Sequence, residues 1–125
     1  MGADFKIVKE QPEGKPSIAV FHLAGWLDAQ SEQQLVDAVQ AAKDGGAQFV
    51  LLDLRQMTTI TSAGIRALQK SYQLVTPGDE AGKVTHLKLC NAPAQVYEVL
   101  GITGLLINVP MYESLDDAVD SFHSA

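Results

Sequence analysis

Four hydroxyl side chains, Thr58, Thr59, Thr61 and Ser62, crowd the segment Arg55-Gln56-Met57-Thr58-Thr59-Ile60-Thr61-Ser62-Ala63-Gly64-Ile65. Apolar residues then recur at helical spacing, so the segment predicts a helix start with Thr61 or Ser62 as N-cap, its oxygen accepting from an unpaired first-turn amide. The same amides and the positive end of the helix dipole stabilise an anion placed there. A phosphate on Ser62 is therefore compatible with the fold. Its roughly 1.5 to 2 negative charges would turn a surface that binds a partner into one that repels it. Gly64 fits two readings: a bare backbone that lets a partner or kinase come close, or a packing glycine.

The remaining reactive side chains offer less. Asp53 closes an apolar strand, as does the phospho-accepting aspartate of receiver domains, but such a site needs carboxylates near the end of the first strand to hold magnesium. None stands there, and Asp53 reads as an acceptor for loop amides. His22, His86 and His123 are scattered singly without metal-ligand spacing, and the two on strands read as structural. No metal or cofactor is expected. Asp28 follows Gly25-Trp26-Leu27 ahead of a helix and reads as a cap or turn residue. Trp26 lies in a glycine-bounded loop as a core lid or an exposed binding anchor, and the lid is favoured. Cys90, the single cysteine, stands in Leu87-Lys88-Leu89-Cys90, where a small thiol packs into a core. The run Pro77-Gly78-Asp79-Glu80-Ala81-Gly82-Lys83 lacks the spacing and hydroxyl of a phosphate-binding loop and reads as a turn.

Composition sets outer bounds. The 125 residues fit one domain with a real core. A formal net charge of −6 repels phosphate backbones and anionic lipid, which argues against nucleic acid or direct membrane contact. No apolar run approaches the roughly 20 residues that span a bilayer, and the start Met1-Gly2-Ala3-Asp4-Phe5-Lys6 has no signal core. Lys6 also replaces the Ser or Thr that myristoylation at Gly2 requires. The expected location is the cytoplasm.

The elements that position the hydroxyl segment follow from periodicity. Phe5 to Val8 and Ser17 to Leu23 form a hairpin across Pro12-Glu13-Gly14-Lys15-Pro16. Leu35, Ala38, Val39 and Ala42 mark a helix from the cap candidate Ser31 to the stop Gly45-Gly46. Phe49 to Leu54 is a nearly continuous apolar strand, the mark of a sheet centre covered on both faces. Ile65, Leu68, Tyr72 and Val75 give a second helix ending at Pro77-Gly78. Val84 to Cys90 is a strand, Pro93 opens a helix that Gly101 closes, and Leu105 to Val109 is the last strand. Leu115, Ala118, Val119 and Phe122 form the stripe of a final helix. The order β-β-α-β-α-β-α-β-α calls for a single α/β domain, its mixed, mostly parallel sheet of about five strands carrying four helices mainly on one face, with the first strand an antiparallel edge.

Several of these segments together resemble the STAS domain family. Phe21-His22-Leu23-Ala24-Gly25-Trp26-Leu27-Asp28 looks like its G-x-[LI]-D segment, and Val50-Leu51-Leu52-Asp53-Leu54 like its central strand. Ile60-Thr61-Ser62-Ala63-Gly64-Ile65 is similar to its hydrophobic-D-S-[SA]-G-[LI] signature. Leu100-Gly101-Ile102-Thr103-Gly104-Leu105 and Ser114-Leu115-Asp116-Asp117-Ala118 are similar to its closing strand and helix. The likeness covers residues 4 to 123 as one STAS-like domain and implies a stand-alone anti-sigma factor antagonist of bacterial signalling, which is not an enzyme. It implies binding to a serine-kinase anti-sigma factor, release on phosphorylation at Ser62, and reset by a serine phosphatase. The implied partner surface comprises Trp26, Asp28, Thr59, Thr61, Ser62, Ala63, Gly64 and Arg66. Thr61 departs from the family's usual Asp, which removes a fixed negative charge while leaving a residue that caps the helix and ranks second as acceptor. That departure keeps open an alternative: a constitutive STAS subunit of a membrane-lipid ABC transport complex, working without phosphorylation.

Overall fold

Apolar residues dominate Ile18–Leu27, the second strand (β2), which pairs antiparallel with the edge strand Lys6–Glu10 (β1). The computed structural model describes residues 4–76 and 85–122. Beyond the hairpin come helix α1 (Glu32–Asp44), strand β3 (Phe49–Ile60), helix α2 (Ser62–Val75) and strand β4 (Leu87–Cys90). Helix α3 (Ala94–Ile102), a 3-10 turn at Leu105–Ile107, strand β5 (Met111–Tyr112) and helix α4 (Leu115–Asp120) complete the order. The strands lie in the order β1-β2-β3-β4-β5, with every pair after the first parallel.

The strand period of two divides the core between the sheet faces. Ala19, Phe21, Leu23, Val50, Leu52 and Leu54 point towards Leu35 and Val39 of α1, Leu68 of α2 and Leu100 of α3. Ile18, Val20, Phe49 and Leu51 point the other way and meet Ala118 and Phe122 of the α4 segment, with Cys90 buried among them. Three helices thus cover one face and one short helix covers part of the other. Lys88 is buried on the α4 side, its ammonium 4.3 Å from the Phe122 ring centre and donating to Ser121 Oγ at 2.8 Å. It thereby pins the end of α4.

Several boundaries differ from the sequence expectation: β1 covers Lys6–Glu10 and not Phe5 to Val8, β2 runs four residues past Leu23 to Leu27, and β4 begins at Leu87. β3 does not stop at Leu54 but runs to Ile60, because it stays paired with β2 through two register shifts, at His22/Ala24 and Gly25/Trp26. The expected last strand over 105–109 is instead a 3-10 turn followed by β5 at Met111–Tyr112. There Leu105 and Val109 are both buried and linked by a Val109 N–H to Leu105 carbonyl bond, so the apolar run anchors a turn. Gly101 does not close α3. The helix continues through Ile102 and stops at Thr103, whose hydroxyl donates to the Leu100 carbonyl, before Gly104 turns the chain at φ 79°. The expected stop at Pro77-Gly78, the turn running to Lys83, residue Val84 and His123 lie outside the described residues. Among the described residues no helix is long and apolar enough to cross a membrane.

Candidate functional site

One residue, Thr61, joins β3 to α2. Its extended backbone (φ −108°, ψ 179°) lets the side-chain oxygen accept from the Gly64 amide at 3.5 Å, so Thr61, not Ser62, is the N-cap. Its own amide donates to the Leu27 carbonyl at 3.1 Å, fixing the helix start against the end of β2. Ser62 is the first helical residue and is exposed. Its hydroxyl makes no hydrogen bond among the described residues, and the first turn of α2 contains no acidic side chain. The positive end of this helix therefore faces solvent at Ser62 without a neutralising carboxylate.

Asp28 organises the neighbouring corner between β2 and α1. Its Oδ1 accepts from the amides of Gln30 and Ser31 at 3.0 and 3.2 Å, while Ser31, the α1 N-cap, makes no capping bond and donates its hydroxyl to the Trp26 carbonyl. Trp26 lies on strand β2, not in a loop, and is 39% exposed and outside both core clusters. The lid reading is therefore wrong: burial alternates to the end of β2, with Leu23, Gly25 and Leu27 buried and Trp26 between them on the outward face. Trp26 pairs in register with Thr59, which is half-buried on β3.

Two grooves flank the hydroxyl pair. One of about 770 Å³ is lined by Asp4, Phe5, Trp26, Asp28, Gln34 and Thr61, among others. The other, of about 480 Å³, is lined by Ile60, Thr61, Ser62, Ile65, Val99 and Thr103. Thr61 borders both, and Ser62 stands on the wall of the second.

Three residues expected on this surface do other work. Gly64 is buried, and a Cβ on it would stand 2.3 Å from the Leu27 carbonyl oxygen and 2.7 Å from Ile60 Cγ1, so it is a packing glycine and gives no partner access. Ala63 is buried beside it. Arg66 is exposed, but its guanidinium grips Glu32 with two bonds, Nε to Oε2 at 2.8 Å and Nη2 to Oε1 at 2.9 Å. Lys70 adds a third contact at 3.0 Å. Hydrogen bonds from Arg66 and then Lys70 pull the Glu32 carboxyl down to about 2, and Glu32 in turn raises the Arg66 guanidinium. This cluster clamps α1 to α2 and fixes the angle at which the α2 N-terminus leaves the sheet. Glu32 and Val99 escaped the sequence reading, because both reach the site across long stretches of chain with no local spacing to mark them.

A second polar cluster sits on the face that carries α4. Asp53 is an acceptor, but the backbone amide it takes is that of Arg55 within β3, at 3.1 Å, and not a loop amide; it also accepts from Asn91 Nδ2 at 3.1 Å. Its other oxygen lies 2.7 Å from His22 Nδ1, and His22 Nε2 lies 2.6 Å from Glu10 Oε1. Burial alone would raise the Asp53 carboxyl, but the Arg55 amide, His22 and Asn91 outweigh it and the net direction is down. His86 directs Nδ1 at the Gln48 carbonyl and stacks on Phe49. Glu10, His22 and Asp53 are spent on one another, and among the described residues no group of three His, Cys, Asp or Glu is placed to hold a metal ion.

Known proteins share this fold. The STAS domain family matches residues 10–118. BtrV of Bordetella bronchiseptica, named for the anti-sigma factor antagonist class, is 33% identical over 104 residues, covering 82% of this chain and 84% of its own. An anti-sigma factor antagonist from Mycobacterium paratuberculosis superposes with a TM-score of 0.79 at 21% identity, covering 96% of this chain and 95% of that one. SpoIIAA matches at 16% identity in both its unphosphorylated form, with a TM-score of 0.76 over 96% of this chain and 98% of that one, and, as the Bacillus cell fate determinant, its phosphorylated form, with 0.67 over 93% and 98%.

Proposed function

Because this chain belongs to the STAS domain family, we propose that it is an anti-sigma factor antagonist, a binding module that captures a serine-kinase anti-sigma factor and lets go when Ser62 is phosphorylated. The observation that carries the reading is the placement of Ser62: exposed, first in α2, its hydroxyl unengaged, and beside a groove with apolar walls. A bare Ser62 leaves that groove open to a partner. A phosphate there is stabilised by the helix N-terminus, and its bulk and charge obstruct the docked kinase and its nucleotide phosphates. Thr61 ranks behind Ser62 as acceptor because its oxygen is turned to the Gly64 amide. The naming of BtrV for this class and the two phosphorylation forms of SpoIIAA support the reading.

The proposed contact surface is narrower than the motif implied: Trp26, Asp28, Thr59, Thr61 and Ser62, with Ile65 and Val99 added from the second groove. The unit is the domain spanning residues 4 to 123, working in the cytoplasm by binding, with a serine phosphatase resetting it. A pull-down from the native lysate with wild type, Ser62→Ala and Ser62→Asp baits tests this, with bound proteins identified by mass spectrometry. Capture of a kinase-like ATPase by the first two and not by the third is the expected result. A second reading, the constitutive transport subunit, is favoured by Thr61 at the usual Asp position. Equal capture of a transport ATPase by all three baits, with no phosphate on Ser62, would select it.

A further inference from the structure

His22 stands between two carboxylates on different strands, Glu10 of β1 at 2.6 Å and Asp53 of β3 at 2.7 Å, one on each ring nitrogen. A neutral imidazole has one N–H and one bare lone pair. It can therefore satisfy only one of the two carboxylates and must present a lone pair to the other, so the observed bridge calls for an imidazolium. The groups that face it are Glu10 from β1 and Asp53 from β3. Behind Asp53 stand the neutral Asn91 and Cys90, whose thiol burial pushes up to about 12, with Arg55 also acting on that thiol. Asp116 and Asp120 from α4 and Glu13 from the hairpin loop share a groove with Glu10, so that side adds negative charge. Lys88, the cation on β4, is committed to Ser121 and the Phe122 ring.

β1 is held by its five-residue backbone ladder with β2 and by Phe5 and Ile7 packed against the core, and the bridge adds a charged side-chain tie to these. Four of its five residues are exposed, and only Ile7 is half-buried. Among the described residues, Glu10 to His22 is the one side-chain hydrogen bond from β1 to the rest of the sheet. The chain just ahead of this strand, Asp4 and Phe5, lines the groove shared with Trp26 and Thr61. We propose that His22 is a proton switch for this strap: protonated, it adds a charged tie that strengthens the hold of β2 and β3 on β1, and deprotonated, it loosens β1 and, through it, the Asp4–Phe5 wall of the groove.

Burial pulls the His22 ring down, but the hydrogen bonds to Glu10 and Asp53 and then their charges outweigh it and raise the ring above 6.5. A raised folded value means that the stabilisation is complete below the unfolded value and is lost as pH rises through the folded one. The tie therefore loosens on the alkaline side of 6.5. Its effect on partner capture rests on the reading proposed above, so the test is made on the free chain without any partner.

NMR of the full chain from about pH 5 to about pH 9, the span around the ordinary histidine value, would follow the His22 ring, assigned by its loss in His22→Gln. Hydrogen exchange would be read on β1 and β3 amides over the same range, and fluorescence on Trp26, the single tryptophan. The expected result is a raised His22 midpoint and a Trp26 emission change at that same midpoint. Above it, β1 protection should fall by about tenfold for each unit by which the midpoint is raised, with β3 unchanged. Glu10→Gln, whose amide pairs with a neutral ring, should fold normally and abolish the pH response of both β1 and Trp26. A His22 midpoint at or below the ordinary value, β1 protection independent of pH, or an unchanged response in Glu10→Gln would each overturn the switch.

Discussion

The Leu27 carbonyl oxygen lies so close to the Gly64 Cα that a methyl group there would stand 2.3 Å from it. The same oxygen accepts from the Thr61 amide, so the end of β2 and the start of α2 share one backbone contact. In an open helix, Gly→Ala gains up to about 1 kcal/mol. Here the clash is with backbone and dominates, so Gly64→Ala should destabilise by about 1 to 3 kcal/mol. Gly101, inside α3, is the control: a methyl added there meets nothing within 4 Å, and Gly101→Ala should stabilise by about 0.5 to 1 kcal/mol. Urea unfolding of both variants checks the pair. A neutral Gly64→Ala would remove the packing role assigned to this glycine.

The Glu32 clamp predicts an acid limb. Its carboxyl, held near 2 by Arg66 and Lys70, binds a proton less readily in the folded chain than in the unfolded one, where the ordinary value is 4.5. The stabilisation is present above 4.5 and is lost as pH falls towards 2. Glu32→Gln should be less stable than wild type at neutral pH and converge on it near the acid end. Thermal melts at stepped pH measure this. Parallel curves across the window would mean that the ion cluster adds nothing to stability.

Periodicity revealed the element order, the edge strand and the double-sided burial of β3, because alternation and helical spacing are local signals. It also placed the hydroxyl pair at a helix start. What it missed depends on partners far along the chain. Arg66 looked available for a partner until Glu32, 34 residues away, was seen to hold it. His22 looked like a lone strand histidine until β1 and β3 brought a carboxylate to each nitrogen. The stretch 105–109 read as a strand because a buried pair four residues apart in a tight turn has the same apolar composition as a short strand.

Cys90 is fully buried at the end of β4, and burial followed by the charge of Asp53 pushes its thiol to about 12, with Arg55 opposing. At neutral pH it holds about a thousandfold less thiolate than an ordinary cysteine, and the thiolate is the reactive form. Iodoacetamide should therefore leave the folded chain unlabelled and label it completely in urea, followed by intact-mass spectrometry. Rapid labelling of the native chain would contradict this packing of β4 beneath α4.

Thr61 offers a direct test of how the α2 N-terminus treats charge. Its capping bond to Gly64 is long, 3.5 Å, so Thr61→Ala should cost about 0.5 kcal/mol, the low end for a cap. Thr61→Asp restores a capping oxygen and adds a negative charge at a first turn that contains no acidic residue. It should gain about 0.3 to 1 kcal/mol over wild type at neutral pH. The gain belongs to the ionised carboxylate and should vanish below about pH 4, the ordinary aspartate range. On the proposed reading the same amides would hold a phosphate on Ser62, so an aspartate at position 61 would compete for them and the phosphate should stabilise the variant less than the wild type. Melting temperatures of both chains before and after phosphorylation decide the matter: equal increments would mean that the phosphate does not use the helix N-terminus.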